Sequence, residues 1–399
     1  MDTSCQCCIV GAGPAGMLLG LLLARKGVSV KLLEMHPDLG RDFRGDTVHA
    51  STLEILDQIG LADEVLKLSH NKMRRVVVHT PKGSLDTVSF ERLKTRFPYV
   101  AVMPQEDFLN FLLRHAEQYD NFEMLGGTAV TGLVEEHGVI KGITAKQQGI
   151  EIKIGSQLVV AADGRFSKLR KVAGFTAESL SPPMDVAWLR LPRESTDEED
   201  AGAFYIAHGR ICVLLTRPKE WQLGYVFPKG NFNEIKKQGI ESFRNDIASI
   251  VPWLGNRVDI IEDFSDVHLL TVKSDRLEKW YRDGLLFIGD AAHAMSPVGG
   301  VGINYAISDA VEAANVLTGP LLGNEISEKH LAEVQQRRIK PTRSIQRLQA
   351  LMQKYIVSRA LMDQEFKLPL IARIILKIPL LRDIPGRTMA LGITRVRLE

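Results

Sequence analysis

Residues 285–317 read LLFIGDAAHAMSPVGGVGINYAISDAVEAANVL. The apolar start predicts a buried strand that ends at Gly289 and Asp290, and a loop rich in proline and glycine follows. Apolar residues at helical spacing then predict a helix that begins near Ile303. A strand, a loop of ligand size and a helix start in succession favour a binding site, although similar turns also occur in ordinary connections.

The residue types in this stretch favour one class of ligand. Asp290, at the end of a buried strand, is placed to accept hydrogen bonds from the hydroxyls of a polyol. Gly300 and Gly302 lack Cβ atoms and let the main chain approach a flat ring. The helix start at Ile303 and Asn304 offers free N–H groups and a positive dipole to an electron-rich acceptor. A reduced flavin with its ribityl chain on Asp290 fits this pattern.

A second motif lies at the start of the chain. Residues 5–10 predict a buried strand, and a GxGxxG pattern at Gly11, Gly13 and Gly16 leads into an apolar helix. Gly11 permits the tight turn, Gly13 allows pyrophosphate to approach, and Gly16 brings the helix against the strand. Ala15 lies in the same turn. The glycine pattern, with its flanking strand and helix, predicts a dinucleotide-binding site at the start of the chain.

The second strand supports this interpretation. Residues 28–33 predict a strand that ends at Glu34, whose carboxylate can bind the ribose hydroxyls of an adenosine. An acid at this position disfavours a 2′-phosphate. The predicted dinucleotide is therefore FAD or NAD rather than NADP.

These two motifs, with Ala161-Ala162-Asp163-Gly164-Arg165 between them, resemble the FAD-dependent aromatic hydroxylases of the para-hydroxybenzoate hydroxylase type. The similarity runs in motif order from Ser4 to Arg347. It implies one FAD that spans the first motif and the Gly289-Asp290 element. It also implies that the turn at Asp163 takes part in binding FAD and NAD(P)H.

The resemblance and the strand pattern together predict an α/β protein. Residues 1–73, 100–178 and 272–323 are expected to form a discontinuous, Rossmann-like FAD-binding domain. Residues 74–99 and 179–271 are expected to form a substrate-binding domain built on an antiparallel sheet, because strand-like runs there alternate with short turns. Residues 324–399 are expected to form a C-terminal helical segment with a break at Pro341.

Two further cofactor contacts are expected. Arg44, in the loop after the second strand, is the nearest match to a loop arginine of the family, and a guanidinium beside the pyrophosphate would form charge-assisted hydrogen bonds. The alternative is a solvated arginine. Gln105 resembles a family position that binds the FAD phosphate or ribityl region, and the alternative is a role at a helix N-terminus.

The substrate side is less well specified. Alternate residues 221, 223, 225 and 227 are large and apolar, which suits either a planar hydrophobic substrate or an ordinary core. A base that deprotonates the substrate is expected from this sheet, with His208, Tyr205 and Tyr225 as candidates. Pro297 is expected to line the C4a side of the flavin, and His293 is expected to hold the loop rather than act as an acid or base.

The resemblance implies a monooxygenase. NAD(P)H reduces FAD, O₂ adds to give a C4a-hydroperoxide, and a hydrophobic aromatic, quinone-like or polyketide-type substrate is hydroxylated or epoxidised. The cofactor supplies this chemistry while the protein supplies position and a dry cavity. The catalytic scheme needs no metal.

Composition limits the partners and the cellular compartment to be expected. The formal net charge is +2 and 25% of the residues are charged, which gives no electrostatic reason to expect nucleic acid as a partner. Four cysteines in 399 residues do not suggest a disulfide framework. No signal peptide precedes the first strand. These features predict a cytoplasmic monomer or homodimer.

The C-terminal tail suggests a possible membrane contact. Leu370, Ile371, Ile374, Ile375 and Ile378 fall on one helical face, and basic residues lie elsewhere. Packing of this helix on the protein's own core is the favoured alternative to peripheral membrane binding.

Three alternatives remain for the function. A flavin-dependent halogenase would carry a Trp-x-Trp-x-Ile-Pro block, and residues 221–228 lack the second tryptophan. A polyprenyl reductase would, like a halogenase, take electrons from a separate reductase. A flavin-free binding protein, such as a prenyl-protein escort, is disfavoured because Glu34 and the Gly289-Asp290 element are both retained.

Overall fold

The computed structural model describes residues 2–40, 46–180, 182–197, 201–362 and 379–399. The described elements form a mixed α/β fold, as expected from the sequence. Two large sheets dominate it, and long helices lie between and around them. Arg44 and the apolar run at residues 370–378 fall outside the described residues.

The first sheet has eight strands. They are β1 (Asp2–Val10), β2 (Val30–Leu33), β8 (Phe122–Leu125), β9 (Thr128–Glu136), β10 (Val139–Gln147), β11 (Ile150–Ala161), β19 (Tyr281–Arg282) and β20 (Leu285–Phe287). The order β20-β11-β1-β2-β8 is parallel throughout, which is the arrangement of a dinucleotide-binding sheet. The carboxyl ends of β1, β2, β11 and β20 therefore meet at one edge.

The second sheet has seven strands in the order β17-β13-β16-β15-β14-β5-β6. They are β5 (Arg75–Thr80), β6 (Gly83–Ser89), β13 (Met184–Pro192), β14 (Ala201–Ala207), β15 (Arg210–Thr216), β16 (Glu220–Pro228) and β17 (His268–Leu270). Every pair is antiparallel except β14 with β5. This sheet gathers the hairpin and the strand-rich region that the sequence predicted; the exact domain boundaries stay a prediction.

Two small sheets complete the strands. One joins β3 (Thr47–Val48), β4 (Asn71–Met73) and β7 (Val100–Val102), and the other pairs β12 (Ala177–Ser179) with β18 (Asp275–Leu277). The first of these connects the two large sheets, because β4 leads directly into β5.

The α-helices pack on these sheets. They are α1 (Pro14–Arg25), α2 (Ala50–Gln58), α3 (Ala62–Val65), α4 (Gln105–Ala116), α5 (Lys168–Val172), α6 (Phe232–Gln238), α7 (Ile240–Ile250), α8 (Gly302–Leu322) and α9 (Glu328–Met352), followed by a C-terminal helix at Pro379–Leu391. A π-helical turn at Gln353–Val357 and a short helix at Ser358–Ala360 continue α9. None of the described helices is long and apolar enough to span a bilayer.

The hydrophobic core joins the helices to the parallel sheet. Helices α1, α4 and α8 bury apolar residues against one face of the parallel sheet, with Leu18, Leu109 and Ile307 all fully buried. Contrary to expectation, α9 does not break at Pro341 but runs through it. Pro341 itself is buried, so packing compensates for the main-chain hydrogen bond that a proline cannot donate.

Candidate functional site

The turn between β1 and α1 meets the other two motifs. Gly11 has φ of +103°, and a Cβ atom there would lie 2.5 Å from the carbonyl oxygen of Ala162. A Cβ atom on Gly289, whose φ is +57°, would lie 3.2 Å from the Cβ atom of Ala15. Only glycine fits these two contacts. The three motifs, far apart in sequence, therefore converge at the carboxyl ends of β1, β11 and β20.

Glu34 lies beside this turn. Its carboxylate accepts hydrogen bonds from the main-chain N–H groups of Ala12, at 3.0 Å, and His36, at 3.2 Å. The residue is 3% exposed. Glu34 is therefore fixed at the end of β2, next to Gly13 at the start of α1, where the sequence pattern expects the ribose of a dinucleotide.

Asp163 has one satisfied and one unsatisfied oxygen. Its Oδ2 atom accepts a 3.0 Å hydrogen bond from the N–H of Leu169 at the start of α5. Its Oδ1 atom is buried and has no partner among the described residues. Burial raises the pKa of this carboxyl group. A buried carboxylate oxygen without a hydrogen bond costs free energy. A hydrogen bond from a ligand hydroxyl would remove that cost.

Asp290 follows the turn at Gly289 and is held from behind by an arginine. Arg170 donates to the carbonyl oxygens of Asp290, at 2.7 Å, and Ala291, and it forms a bidentate pair with Asp275 at 3.1 Å. These bonds fix the main chain of the turn. The Asp290 side chain is 30% exposed and lies 3.8 Å from Arg165. Its enclosed surroundings raise the pKa of the carboxyl group, with Arg165 opposing the effect.

A buried charge cluster supports the same turn. Asp309 on α8 accepts hydrogen bonds from the N–H of Gly289 at 2.9 Å, from His293 Nε2 at 2.6 Å and from Arg338 Nε at 2.7 Å. Burial alone would raise the pKa of Asp309, but His293 and Arg338 outweigh it and hold the pKa below its usual value. His293 is 1% exposed, which fits the loop-holding role expected for it.

The Pro297 loop is held by three glutamines that sequence reasoning missed. Gln349 donates to the carbonyl oxygens of Ser296, at 2.9 Å, and Val298, at 2.8 Å, on either side of Pro297. Gln346 donates to the carbonyl of Ala294, at 3.3 Å, and Gln353 to the hydroxyl of Ser296. The sequence does contain a signal for these glutamines: they are spaced by three and four residues, which places them on one helical face.

The start of α8 is open. Its N-cap residue, Val301, provides no side-chain cap, and no acidic residue lies in the first turn. Thr47 donates a 3.2 Å hydrogen bond to the carbonyl of Gly300, whose φ is +60°. Asn304 accepts hydrogen bonds from Thr52 Oγ, at 2.8 Å, and from a main-chain N–H, whereas its buried Nδ2 atom has no partner among the described residues. Gly302 and Ile303 form the first turn, so free N–H groups face the loop.

A buried ion pair that the sequence did not reveal lies nearby. Arg217, in the turn between β15 and β16, donates to Asp46 Oδ2 from Nη2, at 2.7 Å, and from Nε, at 3.0 Å. It also bonds Glu220 at 2.8 Å. Burial raises the pKa of Asp46 to about 6, although Arg217 opposes the shift. This pair ties the second sheet to the strand that contains Thr47.

The three candidate bases lie in the second sheet or in one of its turns. Tyr225 is 1% exposed and packs against α7, with its hydroxyl bonded to Asp246. His208 lies in the exposed turn between β14 and β15, and Tyr205 shares the face of Tyr225. Alternation along the strand places Tyr225 on the face that packs against α7, and His208 lies at a sheet end, which speaks against either residue as the base.

The opposite face of the second sheet belongs to a separate apolar cluster of buried residues. It carries Met184, Val186, Ile206, Ile211 and Val226, and Val298 of the Pro297 loop packs against it. The half-buried ring of Trp188 lies over Gly224, where a Cβ atom would be 2.8 Å from the ring. Residues 221, 223, 225 and 227 lie in a core cluster with α6 and α7, which agrees with the second of the two alternatives for this stripe.

Gln105 is the first residue of α4 and is 8% exposed, but no side-chain hydrogen bond defines its role. The other site features fit FAD. A glycine turn, an acid at the end of β2, unpaired buried atoms on Asp163 and Asn304, and an uncapped helix start suit a dinucleotide with a polyol chain and an electron-rich ring.

Comparisons with known proteins agree with this geometry. Residues 4–347 match a family model described as an FAD binding domain. A 6-methylpretetramide 4-monooxygenase of Streptomyces rimosus is 31% identical over 382 residues, which cover 95% of this chain and 91% of that protein.

Two solved structures share the fold. PqsL of P. aeruginosa, in complex with 2-aminobenzoylacetate, has a TM-score of 0.78 at 20% identity and covers 91% of this chain and 98% of its own. The anhydrotetracycline hydroxylase OxyS of Streptomyces rimosus has a TM-score of 0.73 at 22% identity. The match covers 99% of this chain and 77% of OxyS. Because the family model matches most of the chain and the curated relative spans nearly all of it, the chain belongs to the family of FAD-dependent aromatic monooxygenases.

Proposed function

We propose that this flavin-dependent monooxygenase hydroxylates a polycyclic aromatic, polyketide-type substrate and takes its electrons from NAD(P)H. The observation that carries the proposal is the apolar face of the second sheet, against which Val298 of the Pro297 loop packs. We propose that this face forms the wall of the substrate chamber. A broad apolar wall suits a flat hydrophobic substrate better than a small charged one. The 6-methylpretetramide oxygenase, similar over 95% of the chain, favours the same class.

The FAD would span the three converging motifs. Gly11, Gly13 and Gly16 would cradle the pyrophosphate beside Ala15, and Glu34 would bind the ribose. Asp290 would hold the ribityl hydroxyls, since its side chain remains partly exposed while Arg170 fixes its main chain.

Three further contacts complete the proposed FAD site. Asp163 has a spare buried oxygen that suits a ligand hydroxyl. Arg44 remains a proposed contact of the pyrophosphate, and Gln105 a proposed contact of the FAD phosphate or ribityl region.

The flavin ring would lie between Pro297 and the start of α8. When bound and reduced, FAD supplies the activation of O₂. The residues around it would do the rest: Gly300, Gly302, Ile303 and Asn304 would direct N–H groups towards negative charge on the ring. Pro297, flanked by the two carbonyls that Gln349 holds, would form the wall on the reacting side.

The substrate would be held mainly by shape. The described chamber wall consists of aliphatic side chains together with Trp188 and Phe204. A pocket of this kind excludes water from the reacting position, which protects a reactive oxygen donor from wasteful breakdown. Hydroxylation would then depend on an activating group that the substrate itself carries.

Anaerobic reduction of the bound flavin tests the proposal. The purified protein is mixed with NADH or NADPH, with and without polycyclic phenols, and bleaching of the flavin band is followed. We expect bleaching by one nicotinamide to accelerate with the substrate class, and aerobic turnover to add one oxygen atom from labelled O₂ to the product. Asp290→Ala should purify largely free of FAD, with Asp283→Ala as a matched surface control.

A contrary outcome is informative. Bound flavin that neither nicotinamide reduces would reject direct NAD(P)H use and favour a halogenase or polyprenyl reductase supplied by a separate reductase. Reduction without any oxygenated product, with hydrogen peroxide as the sole oxygen product across the phenol series, would reject the substrate class while retaining the cofactor assignment.

A further inference from the structure

The outward face of α9 and of its continuation carries an exposed apolar row. Leu348, Leu351, Tyr355 and Met362 are 39%, 53%, 44% and 51% exposed. At 3.6 residues per turn Leu348 and Leu351 fall along one side of α9. Tyr355 follows in the π-helical turn, and Met362 lies just beyond the helix end at Ala360. Exposed apolar side chains are ordinary when scattered, but a row on one helical face marks an interaction surface.

The same face is strongly basic. Residues 334–362 contain seven lysines and arginines and no aspartate or glutamate. Arg337 and Arg338 pair with carboxylates. The other five are exposed, and no carboxylate among the described residues forms an ion pair with any of them: Lys340, Arg343, Arg347, Lys354 and Arg359.

The charges flank the apolar row. Helical spacing places Arg343 and Arg347 along one side of Leu348 and Leu351. Lys354 follows in the π-helical turn, and Arg359 lies in the short helix after it. Lys354 also lies 5.4 Å from the ring of Tyr355. An aromatic and aliphatic strip bordered by cations is the pattern of a helix that lies in the headgroup region of a membrane.

The buried face of the helix has a separate task. Gln346, Gln349 and Gln353 face inward and bond the loop around Pro297. The outward charges are therefore not used to build the site, and they cost electrostatic free energy by mutual repulsion. An anionic surface would relieve this repulsion and cover the apolar row at the same time.

We propose that the outward face of α9, from Lys340 to Met362, is a docking surface for a membrane rich in anionic lipid. Basic clusters on an amphipathic helix bind acidic headgroups at about 1 kcal/mol per lysine or arginine near the surface. The binding is peripheral, with the helix parallel to the membrane plane and the apolar row in contact with the acyl boundary. It does not depend on the identity of the oxygenated substrate.

Vesicle flotation of the full-length, FAD-loaded protein tests this surface. Vesicles of phosphatidylcholine alone are compared with vesicles that also contain phosphatidylglycerol, at low and high salt. We expect flotation only with the anionic vesicles and loss of flotation at high salt, because screening weakens exposed charge interactions. The triple variant R343E/R347E/K354E should float at least about tenfold less.

Two further variants make the test specific. K26E/K67E/K141E reverses three exposed lysines elsewhere on the surface and should float like the parent protein. L351S/Y355S removes two members of the apolar row and should lower flotation without changing net charge. FAD content and thermal unfolding confirm that each variant is folded.

Two results would overturn the proposal. If the triple variant floats as well as the parent, another part of the chain, such as residues 366–378, is responsible for binding. If the parent does not float with anionic vesicles, the face is covered by something other than lipid, and a second copy of the chain would then appear as a dimer in light scattering that L351S/Y355S dissolves.

Discussion

Arg338 on α9 donates a 2.7 Å hydrogen bond to Asp309 on α8, and these two side chains are 2% and 0% exposed. Neither charge has access to water, so each depends on the other. Asp309 in turn receives the N–H of Gly289 and the ring of His293. The turn that precedes Asp290 is therefore built on a charge pair contributed by two helices far along the chain.

Replacing Asp309 with asparagine should leave Arg338 as a buried cation without a compensating charge. We expect the free energy of unfolding to fall by about 3–5 kcal/mol, with loss of FAD affinity because the Gly289 turn loosens. Denaturant unfolding and FAD titration measure the two effects. Glu312→Gln, on the same helix but partly exposed, should cost less than about 1 kcal/mol. Equal losses in the two variants would contradict the cluster's importance.

Asp46 should make stability depend on pH in an unusual direction. Its pKa is raised to about 6 in the folded protein from an ordinary value of 3.8, so the fold binds a proton more tightly than the unfolded chain does. This contribution to stability is present below about pH 4 and is lost as the pH rises to about 6, by roughly 3 kcal/mol. Above that range it does not change further.

The comparison with Asp46→Asn isolates this effect. The difference in unfolding free energy between the two proteins should change between pH 4 and 6 and be constant from pH 7 to 8, because asparagine does not titrate. Other carboxylates cancel in the difference. A difference that is flat across pH 4–6 would show that Asp46 keeps an ordinary pKa beside Arg217.

Gln349 should control how efficiently oxygen reaches the substrate. Gln349→Leu leaves the carbonyls of Ser296 and Val298 without their donor, at a cost of about 1–3 kcal/mol. We expect Pro297 to lose its fixed position, so that more of the consumed O₂ appears as hydrogen peroxide, while FAD content stays near that of the parent. The ratio of peroxide to product measures this. Gln336→Leu, exposed on the same helix, serves as the control.

Tyr225 should prove dispensable for turnover. Its hydroxyl bonds Asp246 and Arg210 on the outer side of the second sheet, away from the chamber wall. Tyr225→Phe should lower stability by about 1 kcal/mol and leave kcat and its pH profile unchanged. Gly224→Ala, one residue away on the chamber face, should raise KM because the new methyl group displaces Trp188. A large fall in kcat for Tyr225→Phe would restore its role as a base.

The three motifs were predictable because each is local. A strand, a glycine turn and a helix follow one another within about 20 residues, and parallel strands bring their carboxyl ends to one edge. The sequence could therefore place Gly11, Asp163 and Asp290 together. The supports of the site were not predictable in the same way, because Asp46 and Arg217 are 171 residues apart and nothing local pairs them.

The position of Tyr225 could not be predicted from the sequence, for a physical reason. A period of two along β16 divides its residues into two faces, but it does not indicate which face meets the cofactor domain. The larger aromatic residues proved to face α6 and α7, where they fill the space between sheet and helices. The opposite face instead carries mainly aliphatic side chains and Gly224, together with Trp188 and Phe204.

This division of faces determines where the enzyme can be redesigned. Odd-numbered positions from 187 to 191 on β13 and from 221 to 227 on β16 build the outer core, so variation there would erode folding. Even-numbered positions 186, 188, 224 and 226 lie on the opposite face, which we propose to meet the substrate. A library restricted to those four sites would sample new substrate shapes and keep the scaffold intact, which makes strand parity a practical map for engineering.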